Sequence, residues 1–181
     1  MTPTDTARAW LADPDCVVLD FETTALDGYA VEMAVCDMQG EPVLCRRLHP
    51  RVDAIDPRAQ AVHGITLDSL AGEAGFGDVL EDVRRAVGGR NVVAYNATFD
   101  AGVFQREVQR LGLHGDTTIA PQQWRCAMHV YSAWVGDPGR YGGYRWQRLP
   151  GGDHSALGDC RAALEVVRRV AAGPAPTARY R

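Results

Sequence analysis

The sequence predicts an α/β fold in which helices pack on a mixed β-sheet. Three strand-like segments come first and are joined by short connections, which favours an antiparallel meander. Segments with helical periodicity then alternate with strand-like ones, and a helix closes the chain. The 181 residues, 46% hydrophobic and 23% charged, are ordinary for one globular domain. We therefore expect a single domain over residues 1–173 and a C-terminal tail over residues 174–181.

The first half of the chain supplies a leading helix and the meander. Residues 4–12 are expected to form a short helix, and residues 16–21 form an apolar run typical of a buried strand. Residues 29–38 and 42–48 predict two further strands, and Gly40 between them supplies turn geometry. Short connections of this kind join antiparallel neighbours.

The second half alternates helices with strands. Apolar residues recur at helical spacing in three segments, over residues 76–87, 100–111 and 155–171. Residues 91–95 are strand-like. Residues 113–153 are the least regular part of the chain, and we place a strand or a helix start near Trp124.

Charge and cysteine content limit the function classes. A net charge of -4 argues against a protein that coats nucleic acid through a broad basic surface, but not against a nuclease whose carboxylates bind cations. The five cysteines are scattered and never spaced as CxxC, so neither a disulfide framework nor a zinc site is predicted. A cytoplasmic location fits best, and neither a signal peptide nor a membrane span is expected.

Two acids stand at the end of the first apolar strand. Asp20 and Glu22 are two residues apart, so both carboxylates can project from one face of the sheet. Burying unpaired carboxylates is costly, and a bound cation would remove that cost. A solvated strand end is the alternative interpretation.

Further polar residues lie where helices begin. Asp100 stands where strand 91–95 gives way to the next helix, and alone it could be a helix N-cap. His154 and Asp159 are five residues apart near the start of the closing helix, so the two side chains can flank one site. Taken singly, His154 is better explained as a polar residue at a helix start than as a catalyst.

Four motifs carry a family resemblance. They are Asp20-Phe-Glu-Thr-Thr-Ala-Leu-Asp, His63-Gly-Ile, Asn96-Ala-Thr-Phe-Asp100 and His154-Ser-Ala-Leu-Gly-Asp159. Together they resemble the DEDDh exonucleases, which include polymerase proofreading exonucleases, oligoribonuclease and RNase T. The resemblance covers residues 17–170 and implies a ribonuclease-H-like, five-stranded mixed sheet flanked by helices. Ala25 departs from the family pattern, in which glycine is frequent at this position.

The resemblance implies a metal-dependent 3′-5′ exonuclease that releases nucleoside 5′-monophosphates from single-stranded DNA or RNA. Asp20, Glu22 and Asp159 would bind one Mg²⁺ or Mn²⁺ ion, and Asp20 with Asp100 would hold a second. His154 would be the general base. Two hard cations with oxygen ligands suit an in-line phosphoryl displacement, and histidine titrates near neutral pH.

Substrate contacts also follow from the resemblance. They would come from the backbone around Thr23 and Thr24, from Leu26 as an apolar wedge near the terminal bases, from His63 and Phe99 as pocket lining, and from Asn96. Core packing or a turn is the alternative for Leu26, His63 and Phe99. Asn96 could instead cap or brace the strand end.

Residues 124–148 combine arginines with aromatic residues. The arginines are Arg125, Arg140, Arg145 and Arg148, and the aromatic residues are Trp124, Tyr131, Trp134, Tyr141, Tyr144 and Trp146. This composition suits single-stranded nucleic acid, because bases stack on rings while guanidinium groups contact phosphates. A loop anchored by aromatic packing is the alternative.

Two other functions remain open at this point. One is the same chemistry on short oligoribonucleotides or modified nucleotides. The other is a non-catalytic nucleic-acid-binding module, against which the complete set of expected ligands argues. No motif for binding a polymerase is present, and a homodimer is left open.

Overall fold

The computed structural model describes residues 1–173, and the tail predicted at 174–181 lies outside them. The helices and strands are, in chain order, α1 (Pro3–Ala12), β1 (Cys16–Thr23), β2 (Ala30–Asp37), β3 (Pro42–Arg47), α2 (Pro57–His63), α3 (Phe76–Val87), β4 (Asn91–Ala94), α4 (Ala97–Arg110), β5 (Trp124–Cys126), α5 (Ala127–Val135) and α6 (Ala156–Ala171). Short 3₁₀ turns occur at Asp68–Leu70 and Pro121–Gln123.

The five strands form one mixed sheet in the order β3-β2-β1-β4-β5. Strands β1, β2 and β3 are antiparallel neighbours, whereas β4 is parallel to β1 and β5 is parallel to β4. The predicted α/β fold with a mixed five-stranded sheet is therefore confirmed. The predicted antiparallel meander is also present, since β1 pairs with β2 and β2 pairs with β3, both antiparallel. The short connections between these strands are too short for a crossover.

Each face of the sheet is covered by a different set of helices. On one face, Val18 of β1 packs with residues of α1, α5 and α6. On the other face, Val17, Leu19 and Phe21 pack with α3 and α4. Since side chains alternate along a strand, Asp20 and Glu22 share the α6 face with Val18.

Strand β1 extends beyond its neighbour β4. The two strands pair only from Cys16 with Asn91 to Val18 with Val93, after which β4 ends and the chain turns into α4. The last residues of β1 therefore have no strand partner on that side. The first turn of α4 lies there instead, which is how Asp100 comes to contact β1.

Helix α2 was not predicted, whereas α5 begins close to the strand or helix start expected near Trp124. Helix α2 contains no buried residue, so the apolar periodicity that identifies a packed helix is missing. Helix α5 follows β5 directly, so the region near Trp124 contains both the strand and the helix start that the sequence left as alternatives. Within residues 1–173, no helix combines the length and apolar character needed to cross a bilayer.

Helix α4 begins earlier than predicted. It starts at Ala97 instead of residue 100, with Asn96 at the N-cap position. Asp100 is therefore inside the first helical turn, and the interpretation of Asp100 as a helix N-cap is wrong. Its side chain points into the protein and is only 2% exposed.

Candidate active site

Acids from three elements converge at the end of β1. Asp20 and Glu22 come from β1, Asp100 comes from the first turn of α4, and Asp159 comes from the first turn of α6. His154 lies in the loop that leads into α6. Glu22, His154 and Asp159 each offer one ligand atom, and these three atoms lie within 4.8 Å of one another.

Asp100 is held by the end of β1, on the side that β4 does not reach. Its Oδ1 accepts a hydrogen bond from the backbone N–H of Phe21 at 3.3 Å. Burial raises the pKa of the Asp100 carboxyl to about 8, although the Phe21 hydrogen bond acts in the opposite direction. A carboxylate in this position is costly unless a positive charge lies beside it.

For the two acids of β1, Asp20 and Glu22, burial also makes the charged form costly and raises the pKa. Burial is the main cause that raises the pKa of Asp20 well above its ordinary value, and the charges of Asp100 and Asp159 add to it. Burial, followed by the charges of Asp159 and Glu32, raises the pKa of Glu22 to about 8. Such a cluster cannot be fully ionised without a compensating charge. These oxygen donors therefore fit hard divalent cations.

The loop before α6 is ordered around Asp159. Its Oδ1 accepts hydrogen bonds from the backbone N–H groups of Asp153 at 3.0 Å and His154 at 3.2 Å. His154 adopts a left-handed backbone with φ of 61°, which is uncommon for a residue with a side chain. Ser155 caps α6 by accepting from Gly158 N–H at 3.1 Å. One carboxylate of the cluster thus also positions the imidazole of His154.

A cavity of 590 Å³ opens beside the cluster. Of the predicted substrate contacts, Thr23, Leu26, His63 and Phe99 line it, together with Asp20, Glu22, His154 and Asp159. Leu26 is 87% exposed at the rim, so core packing does not explain it. The lining includes five carboxylates and a single arginine, Arg58. An anionic substrate would be repelled from such a lining unless cations were bound.

Thr24 and Asn96 are absent from the lining of this cavity. The Thr24 hydroxyl accepts a hydrogen bond from Tyr29 N–H at 3.0 Å and so stabilises the turn after β1. Asn96 occupies the N-cap position of α4 without a capping hydrogen bond from its side chain. The structure thus places Thr24 in the turn after β1 and Asn96 at the start of α4, and neither lines the cavity.

Helix α2 forms one side of the cavity and was missed by the sequence analysis. His63 at its end lies with Nε2 3.1 Å from the carbonyl oxygen of Thr23, while Nδ1 accepts from Ile65 N–H at 3.0 Å. The proton is therefore assigned to Nε2, and burial lowers the pKa of His63, in keeping with a neutral ring. Asp56 N–H also donates to the carbonyl of Thr24 at 2.8 Å. These bonds attach α2 to the end of β1 and bring Arg58 and Val62 into the lining.

Comparisons with known proteins agree with this geometry. The family model described as exonuclease (RNase_T) matches residues 17–167. The nuclease domain of 3′hExo, a DEDDh family member solved bound to rAMP, shares the fold with a TM-score of 0.59 at 13% identity, over 90% of this chain and 94% of that one. The chain belongs to the DEDDh 3′-5′ exonuclease family. It is accordingly a nuclease, and the family implies divalent metal ions.

Two further relatives of this DEDDh exonuclease align over most of its length. Uncharacterized exonuclease CP81 of Escherichia phage 186 is 31% identical over 184 residues, covering 93% of this chain and 94% of the phage protein. A solved structure of Exonuclease X in complex with 5′ overhanging duplex DNA has a TM-score of 0.57 at 28% identity. It covers 88% of this chain and 95% of that chain.

One further acid, Glu32, lies beside the cluster and was not predicted. Glu32 of β2 is paired with Glu22 across the antiparallel ladder. Its Oε2 accepts a hydrogen bond from Ala156 N–H at 2.8 Å, at the first residue of α6, and its Oε1 lies 3.3 Å from Arg47 Nε. A carboxylate at a helix N-terminus is favoured by the exposed N–H groups and the helix dipole. Glu32 therefore fixes the start of α6, and with it Asp159, over the sheet.

Proposed function

We propose that this exonuclease hydrolyses phosphodiester bonds at the 3′ end of single-stranded DNA or RNA and releases nucleoside 5′-monophosphates. The observation that carries the proposal is the approach of Glu22, His154 and Asp159 to within 4.8 Å, beside the half-buried Asp20 and the buried Asp100. These groups come from β1, α4, α6 and the loop before α6, and such convergence is typical of a site assembled for chemistry.

The four acids would hold two cations, Mg²⁺ or Mn²⁺. Asp20, Glu22 and Asp159 would bind one, and Asp20 with Asp100 would bind the second. When bound, such cations stabilise the attacking and leaving oxygens of an in-line displacement at phosphorus. The raised pKa values of Glu22 and Asp100 support this assignment, because a cation would replace the protons that these acids otherwise retain.

His154 would take the proton from the attacking water. Its exposed imidazole faces the cavity between Glu22 and Asp159, and histidine exchanges protons near neutral pH. The hydrogen bonds from the loop to Asp159 Oδ1 limit the movement of His154. The ring can therefore approach the water without further ordering of the loop.

The rest of the cavity would bind the terminal nucleotide. Leu26, Val62 and Phe99 present apolar surface suited to a nucleobase, and Arg58 can contact a phosphate. The backbone at Thr23, which His63 holds in place, would contact the sugar end of the strand. A frayed or single-stranded end fits this arrangement because the base must leave its stack to reach the wall of the cavity.

End-labelled DNA and RNA substrates would test the proposal. Single strands, blunt duplexes and dinucleotides are incubated with Mg²⁺, Mn²⁺ or chelator, and the similarity to Exonuclease X adds a duplex with a recessed 3′ end. We expect stepwise release of 5′-mononucleotides from single-stranded 3′ ends, abolished by chelator. Products from the 5′ end, or release that continues in chelator, would contradict the proposal. Equal rates on dinucleotides and long strands would favour the short-oligoribonucleotide alternative.

A further inference from the structure

Residues 136–148, here called the ribbon, expose aromatic side chains. Tyr141 is 91% exposed, Tyr144 is 52% exposed and Trp146 is 68% exposed. Over residues 1–173, these are the three aromatic side chains classed as exposed, and they fall within six consecutive positions. A concentration of apolar surface of this kind marks an interaction site more often than chance exposure.

In residues 124–135, just before the ribbon, the aromatic side chains are packed and not exposed. Tyr131 and Trp134 stack with ring centroids 5.9 Å apart, and Trp134 Nε1 donates to the carbonyl of Gly173 at 2.7 Å. Trp124 packs against the core below α3 and α4. Aromatic packing thus accounts for residues 124–135 but leaves the ribbon unexplained.

The ribbon is also positively charged. It contains Arg140, Arg145 and Arg148 but a single acid, Asp137, in a protein with a net charge of -4. All three arginines are exposed, and none forms an ion pair within 4.0 Å in the part of the chain that the structure describes. Arg140 lies over the ring of Tyr141, 5.5 Å from its centroid. Free guanidinium groups beside open rings suit a polyanion that carries planar bases.

Hydrogen bonds shape the ribbon and attach it near the active site. Gly139 N–H donates to the carbonyl of Gly143 at 3.0 Å, and Arg145 N–H donates to that of Asp137 at 2.8 Å. The Tyr95 hydroxyl, at the end of β4, donates to the carbonyl of Gln147 at 2.8 Å. His154 follows Arg148 by six residues, so the Cα atoms of these two residues lie within about 22 Å of each other.

We propose that the ribbon binds the single-stranded nucleic acid on the 5′ side of the terminal nucleotide. Bases stack on Tyr141, Tyr144 and Trp146 while the three arginines contact phosphates. The inference rests on the proposed function, because it assumes that the strand end lies in the acidic cavity. A protein partner would also use aromatic and arginine side chains. The unpaired positive charge in an acidic protein and the short connection to His154 favour nucleic acid.

The test compares binding with cleavage. A Y141S/Y144S/W146S variant is titrated against a fluorescent single strand of about 20 nucleotides in chelator, with anisotropy as the readout. We expect Kd to rise at least about tenfold, which corresponds to the loss of one stacked base. Cleavage of a dinucleotide, too short to reach the ribbon, should stay unchanged in Mg²⁺.

The arginines are tested by salt dependence. In R140Q/R145Q/R148Q, the slope of log Kd against log salt should fall by about 2, because each lost phosphate contact on a single strand removes about 0.7. Lysine at the same positions should restore the slope. Val43→Ser on β3, at the opposite edge of the sheet, and Arg85→Gln on α3 serve as controls for exposed apolar and charged side chains.

Unchanged Kd and salt slope in both ribbon variants would overturn the inference and leave a protein partner as the occupant. Failure of the proposed exonuclease function would give a different result from failure of the ribbon proposal. In that case the unsubstituted protein would not cleave the dinucleotide or the long strand, while the anisotropy titration would still report whether the ribbon binds nucleic acid.

Discussion

At the scale of single residues, the site depends on groups that serve two purposes. Asp159 offers one ligand atom to the cluster and also accepts the two backbone hydrogen bonds that order the loop of His154. Asp100 closes the open end of β1 and adds a buried carboxylate beside Asp20. Substitutions at these positions can therefore be chosen to remove one role and keep the other.

His154→Ala tests the proton transfer. We expect kcat for release of the terminal nucleotide to fall about 10²- to 10⁴-fold, the usual contribution of a general base, while KM changes little. His114→Ala is the matched control, because His114 is exposed and does not line the cavity. A variant that retains the full rate with saturating metal would exclude His154 as the base.

Asp159→Asn separates charge from positioning. The carboxamide oxygen can still accept from Asp153 and His154 N–H, so the melting temperature should change little. Loss of the negative charge should weaken Mg²⁺ binding, measured by calorimetry, and reduce cleavage at least about 100-fold, as a positioning change alone would not. Asp153→Asn is the control, since Asp153 bonds to Ser155 outside the cavity lining. Unaltered metal affinity in Asp159→Asn would contradict the ligand assignment.

The residues of the cluster are recognisable in the sequence, whereas Glu32, which supports the cluster, is not. Asp20, Glu22, Asp100, His154 and Asp159 stand out because polar side chains interrupt apolar patterns at strand ends and helix starts. Glu32 interrupts β2 in the same way, yet its partners depend on the register of β2 and on the approach of α6. Both are properties of the tertiary structure, so no local pattern reveals them.

At the scale of elements, the sequence predicts a helix and its ends well where the helix buries an apolar face. Helix α3 matches its prediction from residue 76 to 87 because six of its residues are buried at helical spacing. Helix α2 was missed because it presents no apolar stripe, although its ends carry recognisable signals. Asp56 caps it, Pro57 occupies the first position, and Gly64 ends it with φ of 72°. Capping residues alone can therefore indicate a short helix beside a predicted site, even where no apolar stripe is present.

Glu32 links β2 to the start of α6, so substituting it tests whether this contact positions α6 over the sheet. Glu32→Ala should lower the free energy of unfolding by about 0.5 to 2 kcal/mol, as for a lost helix cap, and should also lower kcat because Asp159 and His154 shift. Glu32→Gln keeps an acceptor for Ala156 N–H and should recover most of the rate. Urea unfolding and steady-state kinetics provide both readouts. Equal losses in the two variants would show that charge, and not the position of α6, is what Glu32 supplies.

At the scale of the whole molecule, the acidic cluster opposes folding and favours cation binding. Burial and mutual repulsion raise the pKa values of Glu22 and Asp100 to about 8, whereas the unfolded chain has ordinary values near 4. Between these values the folded protein binds protons that the unfolded chain releases. The stability associated with those protons is complete below about pH 4 and is lost as pH rises towards about 8.

This linkage makes the stabilising effect of metal depend on pH. In chelator, the melting temperature should fall between about pH 5 and pH 8, and saturating Mg²⁺ should raise it more at pH 8, where fewer protons have to be displaced. Differential scanning calorimetry at both pH values, with and without metal, measures the effect. Asp100→Asn should flatten the dependence in chelator because a buried amide does not titrate. Asp27→Asn, at a carboxylate that lines the cavity outside the cluster, should leave it unchanged. A melting temperature in chelator that rises over this range would show that the folded protein retains no excess protons, and it would remove the electrostatic argument for the metal site.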